Sequence, residues 1–263
     1  MNRSNIVLFA ALICLHSPGL AGDAKSPIEP TPIIDDGLYS DFRFDGWIPQ
    51  IYVGFTNSAL GIDQNVFIGY DDIISNLDWA VPLGFDFRLD RIGFLPDILA
   101  LKMSGGSATP QGTLFSQLDY SLKMGVFNMP AYYRVVDQEN LTVDVLGGVR
   151  FLTIDLDVGL TGGPLGTALG PVSAGTNARI LDGIGGIRIQ QNISDKLFYS
   201  LYGDVGAGDS KLTWQVMGDL GYRVRDDFSV SLGYRYLTYS ESTVASAVDL
   251  TASGPQITLN WEF

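Results

Sequence analysis

The sequence predicts an all-β fold, a transmembrane up-and-down antiparallel β-barrel of about ten strands, on three observations. From Trp47 onward, apolar and polar residues alternate with period two, the spacing of strands with one greasy and one polar face. Tight polar turns and looser connections succeed one another along the chain, as at the two rims of a membrane barrel. The terminal residues Ile257, Leu259, Trp261 and Phe263 share one face, while Gln256, Thr258, Asn260 and Glu262 share the other.

At the N-terminus, Arg3 precedes an apolar run from Ile6 to Leu15, and Gly19 and Ala21 supply small residues for cleavage. Residues 1–21 therefore read as a secretory signal peptide. The run is too short to span a bilayer, and no later stretch approaches the roughly 20 apolar residues of a transmembrane helix. Residues 22–46, rich in proline and acids (Pro27, Pro30, Pro32, Asp35, Asp36), read as a loosely ordered periplasmic lead-in. The barrel is then assigned to 47–263.

Within it, strands are expected near 47–56, 79–89, 93–103, 113–136, 141–158, 178–191, 197–206, 211–224, 228–240 and 250–263, an even number as bacterial barrels require. Eight or twelve strands also fit. The tight turns are Asp90 to Ile92, Asp137 to Asn140, Asn192 to Lys196 and Arg225 to Asp227. Between them lie Ser104 to Gly112, Gly159 to Asn177, Ala207 to Ser210 and Glu241 to Val248. Asn57 to Asp78 fits least well: Val66 to Tyr70 reads as a strand fragment and Asp71 to Leu77 as a capped helical turn, together an insertion folded over or into the barrel. Trp214 and Tyr222, like Phe228 and Tyr236, share a face eight residues apart. At about 3.3 Å per residue and a tilt of roughly 40°, that is about 20 Å of height, which places the rings at the two membrane interfaces.

Composition fits the same class. The 263 residues are 46% hydrophobic and carry a net charge of −13 and 31 glycines, with positive mean hydropathy, so charge and grease must be segregated. The acidic balance, with no basic cluster, excludes nucleic-acid binding. The only cysteine, Cys14, and the only histidine, His16, both lie in the signal. The mature chain then has no disulfide, and Ile13 before Cys14 is a poor match to a lipoprotein cleavage site. Without histidine neither a Ser-His nor an Asp-His arrangement can be assembled, so no enzyme is expected. A carboxylate pair of Asp182 and Asp204 is the formal alternative, and a structural role for them is preferred. No cofactor or metal is expected; Asp155 and Asp157 offer at best a weak divalent-cation site.

The segments Asp182-Gly183-Ile184-Gly185-Gly186-Ile187-Arg188, Gly203-Asp204-Val205-Gly206, Leu212-Thr213-Trp214-Gln215 and Gly233-Tyr234-Arg235-Tyr236-Leu237 resemble a broad, poorly characterised family of proteobacterial outer-membrane β-barrel proteins. Weaker likeness extends to Leu77 to Leu101 and to Ser253-Gly254-Pro255. The resemblance implies barrel fold and outer-membrane location and brings no activity with it. Gln256 to Phe263 also resemble the terminal signal read by the barrel-assembly machinery, with Ile257, Leu259, Trp261 and Phe263 as its alternate apolar positions.

If the apolar faces meet lipid, the opposite faces collect Asp86, Arg88, Asp97, Asp119, Lys123, Arg134, Asp144, Arg150, Asp182, Arg188, Asp204, Asp219, Arg223, Arg235 and Glu262 in the lumen. Charges in a narrow interior are costly unless paired, which suggests a salt-bridged filling. A hydrated, charge-lined path for small solutes is the competing reading. The expected function is accordingly a non-enzymatic structural or narrow-pore barrel; a porin-like channel and a surface-loop binding or adhesion protein are the alternatives. Its expected partners are outer-membrane lipids, lipopolysaccharide and the assembly machinery.

Overall fold

The computed structural model describes residues 38–57, 62–108, 115–162, 172–242 and 246–263. Thirteen strand segments and one helix follow in the order β1 (Leu38–Trp47), β2 (Gln50–Asn57), β3 (Ile62–Ile68), α1 (Tyr70–Asn76), β4 (Leu77–Leu89), β5 (Ile92–Phe94), β6 (Asp97–Ala108), β7 (Phe115–Gln138), β8 (Leu141–Gly162), β9 (Val172–Asn192), β10 (Leu197–Gly208), β11 (Leu212–Arg225), β12 (Phe228–Ser242) and β13 (Ser246–Glu262). All neighbours pair antiparallel, and β1 joins β13 on one side and β4 on the other, so the sheet closes on itself.

Three pairs of segments each occupy one position in the wall, which makes ten wall strands. β1 and β2 both run along β13 and are separated by Ile48 and Pro49; Pro49 has no N–H to give the ladder. Gly254 opposite this break has no room for a side chain against Ile48 and Pro49, and the Ile48 amide donates to the Pro255 carbonyl at 3.1 Å. β5 and β6, separated by Leu95 and Pro96, share the position between β4 and β7. β3 pairs with β2 and β4 with β1, with α1 inserted where the second strand changes register.

The turns Asp90–Arg91, Glu139–Asn140, 193–196 and 226–227 gather at one rim, which by the rule for such barrels is periplasmic. Asp90 is in the left-handed region (φ 52), as a two-residue loop demands, and its carbonyl accepts from Arg88 Nη1 at 2.7 Å. The wall is uneven at the other rim: β7, β8 and β9 have 24, 22 and 21 residues against 12 and 14 in β10 and β11. Since about 9–11 tilted residues cross the hydrocarbon, the surplus of β7 to β9 projects beyond it.

The exterior carries an exposed apolar belt that includes Leu89, Ile92, Val205, Leu220 and Leu232. Near the periplasmic rim, Phe228, Trp261, Phe42, Phe85 and Phe87 form a run of ring contacts with centroids 4.9–6.0 Å apart. Higher up, Trp214 stacks on Tyr236 at 4.8 Å. The two aromatic levels expected from the eight-residue spacings are both present.

Two boundaries differ from the sequence reading. Leu38 to Gly46, assigned to the lead-in, form the first wall strand, with Asp41 and Asp45 buried inside and Phe44 exposed outside. The expected outer loop Gly159 to Asn177 shrinks to 163–171, which lie outside the described residues, because β8 and β9 stay paired up to Leu160 and Val172. Residues 1–21, expected to be a signal peptide, and residues 22–37 also lie outside them. α1 forms as a helix, with the Gly69 amide donating to Asp72 Oδ2 at 3.2 Å at its start. Only Ile73 of the helix is buried; Ile74 and the following Leu77 are exposed.

Candidate functional site

Charged side chains fill the periplasmic half of the interior in two layers. In the lower, Asp144 on β8 accepts from Arg134 Nε at 2.8 Å and from Arg188 Nε and Nη2 at 2.9 and 2.7 Å. Arg188 Nη1 reaches across the lumen from β9 to Asp86 on β4 at 2.7 Å. Tyr132 Oη donates to the other oxygen of Asp86 at 2.6 Å, and its ring centroid is 4.7 Å from the Arg188 guanidinium. Gly93 makes this possible, since a Cβ there would strike the Tyr132 ring.

The upper layer is a continuous relay. Arg150 Nη2 binds Asp204 at 2.6 Å, its Nη1 donates to Thr213 Oγ1 at 3.0 Å, and its Nε donates to Asn128 Oδ1 at 2.6 Å. Asn128 Nδ2 donates to Asp97 Oδ2 at 2.9 Å, which also takes Arg235 Nη2 at 2.6 Å. Arg235 continues to Gln215 Oε1 and lies 4.7 Å from the centroid of Trp47. These contacts tie β10, β8, β7, β6, β12 and β11 together through the barrel's middle. Arg150 and Asp144 are 0% exposed, and charges so deep are tolerated only with such pairing.

Above the relay the interior changes character. Leu99, Leu101, Met103, Met124, Val126, Leu152, Leu237 and Leu250 point inward and pack together. Ile73 of α1 joins the same cluster, so the helix in the second wall strand closes it with an apolar side chain.

Of the fifteen charged residues assigned to the lumen, nine are buried there: Asp86, Asp97, Arg134, Asp144, Arg150, Asp182, Arg188, Asp204 and Arg235. Asp219, Arg223 and Glu262 line the lower cavity. Arg88 is half-buried and stacks 5.3 Å from the Tyr39 ring. Asp119 and Lys123 are a correction: both are exposed on the outer face of β7, because buried Met124, Val126 and Asn128 commit its even positions to the interior. Lys123 stands opposite Asp155 on β8, and Asp155 and Asp157 are also exposed. Asp182 and Asp204 do not form a carboxylate pair. The first accepts from Ser210 Oγ and N at 2.6 and 2.8 Å, and the second is held by Arg150. Gly186 allows close packing of the neighbouring strand: a Cβ there would meet the backbone of Gly203 and Asp204.

Sequence reasoning missed the neutral members Asn128, Thr213 and Gln215, whose side chains are no more than 2% exposed. Their signal was a polar residue at the inward parity of strands already recognised. It also missed Asp41, Arg43 and Asp45, where alternation with Phe42 and Phe44 was available.

Below the relay, a cavity of about 230 Å³ opens among the turns of the periplasmic rim. Tyr39, Asp41, Arg43, Asp45 and Asp219 line its sides, and Asp97, Asn128, Gln215 and Arg235 lie at its deep end. The interior is thus a polar cup under a charged layer and an apolar plug.

A closed antiparallel sheet with a greasy exterior and a buried ionic interior defines a transmembrane β-barrel of the outer-membrane type. No protein-family model matches the sequence, and no curated protein is similar to it in sequence. Among solved structures, the chain is similar to the attachment invasion locus protein Ail of Yersinia pestis at 10% identity, over 85% of this chain and 99% of that one, with a TM-score of 0.35. It is similar to Neisserial surface protein A at 13% identity over 86% and 97%, TM-score 0.31. A FadL homologue of Pseudomonas aeruginosa matches at 8% identity over 87% and 90%, TM-score 0.35.

Proposed function

We propose that this chain is a non-enzymatic outer-membrane barrel whose lumen is closed toward the outside, a structural or narrow-pore protein. The relay from Asp204 through Arg150, Asn128, Asp97 and Arg235 to Gln215 carries this reading, because it crosses the space a solute would need. The apolar cluster with Ile73 supports it from above. In this reading residues 1–21 are removed as a signal peptide. Ile257, Leu259, Trp261 and Phe263 serve as the assembly signal for the barrel-assembly machinery, and lipid and lipopolysaccharide surround the belt. Reconstitution into planar bilayers tests it: the expected record is quiet or shows only small, brief openings. A large, stable conductance overturns the closed lumen and favours a porin-like channel.

A second reading rests on the projecting ends of β7 to β9. Asp119, Lys123, Asp155, Asp157 and Arg179 are exposed there, which makes this extension a surface for lipopolysaccharide head groups or an external partner. Neutralising Lys123 and Arg179 together should weaken binding of the refolded protein to lipopolysaccharide; unchanged binding removes the reading.

A further inference from the structure

We propose that the periplasmic cup is a binding site for a small organic cation, a guest that brings ammonium N–H donors.

The cup's own walls leave several acceptors unpaired. Asp41 Oδ1, Asp97 Oδ1, Asp219 Oδ1, Gln256 Oε1 and Asn260 Oδ1 are buried oxygens without a hydrogen-bond partner, and all five residues line the one cavity. Asp41, Asp97 and Gln256 are 6, 8 and 6% exposed, so these are not surface groups that merely lack a neighbour. Of the buried donors of the described residues, the same lining leaves the Arg43 Nε and the Thr142 hydroxyl unpaired. Leaving a buried acceptor without a donor is costly, and five around one space make it a place that stabilises donors.

Charge points the same way. Eight carboxylates and five arginines line the cavity. Arg188 and Arg235 are already committed to Asp86, Asp144 and Asp97 by contacts of 2.6–2.7 Å. Among the described residues, neither Asp41 nor Asp219 has a salt-bridge partner; the one bond to Asp41 comes from Tyr39 Oη at 2.9 Å. These two acids stand on β1 and β11, separate strands of the wall, and suit a guest with positive charge at both ends. No three acids of the described residues converge as metal ligands do. Such a guest is therefore matched by donors spread along an organic chain. An ammonium group gains over water in the cup by its charge.

The proposal is independent of whether the barrel conducts, since the cup opens to the periplasmic rim in either case. Calorimetric titration of the detergent-refolded protein with 1,4-diaminobutane at low ionic strength tests it, with 1,4-butanediol and sodium chloride as controls. Saturable one-to-one binding of the diamine alone is expected. Asp219→Asn and Asp41→Asn should each weaken it about tenfold, the equivalent of losing one charge-assisted hydrogen bond. Gln256→Ala, which removes no charge, should weaken it less, and it carries the test if either Asn variant fails to refold. Asp71→Asn, on the exposed side of α1 and outside the cup, should leave binding unchanged. No saturable heat, equal binding of butanediol, or equal losses from Asp71→Asn and the cup variants would overturn the site.

Discussion

The two halves of the lumen are filled by opposite means. Toward the periplasm the filling is ionic, with Arg134, Arg150, Arg188 and Arg235 each bound to a carboxylate; toward the outside it is hydrocarbon, with Leu152 and Met103 each 1% exposed. Both close the tube, but they respond differently to damage. An ionic layer is intolerant of losing one member, because what remains is a charge without a partner. An apolar plug loses transfer energy in proportion to what is cut away.

The largest effect should come from the ionic side. Arg150→Met strands Asp204 and leaves Asn128 Oδ1 without its donor, and it should cost about 3–5 kcal/mol of stability in urea titrations of the refolded protein. The pair Arg235→Met with Asp97→Leu should cost markedly less than Arg235→Met alone, since replacing both partners removes the orphan. Equal costs would mean that the layer is solvated and the contrast between the halves false. On the apolar side, Leu152→Ala should cost about 2–5 kcal/mol by leaving a cavity. Ile73→Asp should instead free α1 from the cluster and raise bilayer conductance; an unchanged quiet record would show that the ionic layer alone seals the tube. Smallest, Trp214→Ala removes a stack on the outer wall worth about 0.5–1.5 kcal/mol beyond its buried area, and should leave both fillings intact.

Strand count, turn positions and the closing strand were legible in the sequence because the belt obeys one rule, greasy outward and polar inward. Leu212, Val216, Leu220 and Tyr222 show it, all at least 42% exposed. That rule inverts above the belt. At Lys123, Met124, Val126 and Leu152 the apolar set faces in and the charged set faces water, so the same alternation carries the opposite meaning. A period of two fixes which residues share a face but not which face meets the lipid. Asp119 and Lys123 were misplaced for this reason. The first wall strand was hidden differently: Asp41, Arg43 and Asp45 made it look like more of the acidic segment before it.

The pairing that closes the wall has a temporal consequence. Asp41 pairs with Glu262, and the Phe263 amide donates to the Ser40 carbonyl at 3.0 Å, so the seam joins the earliest and latest parts of the described chain. Every other seam can zip between neighbours as they emerge; this one must wait, and it carries the greatest loop-closure entropy of the molecule. Until it forms, the protein is a curved ribbon with two bare edges, each ready to accept a stranger's strand. Cellular quality control therefore has its narrowest window at this single junction, and late truncations should leave aggregated ribbons in place of loosened tubes.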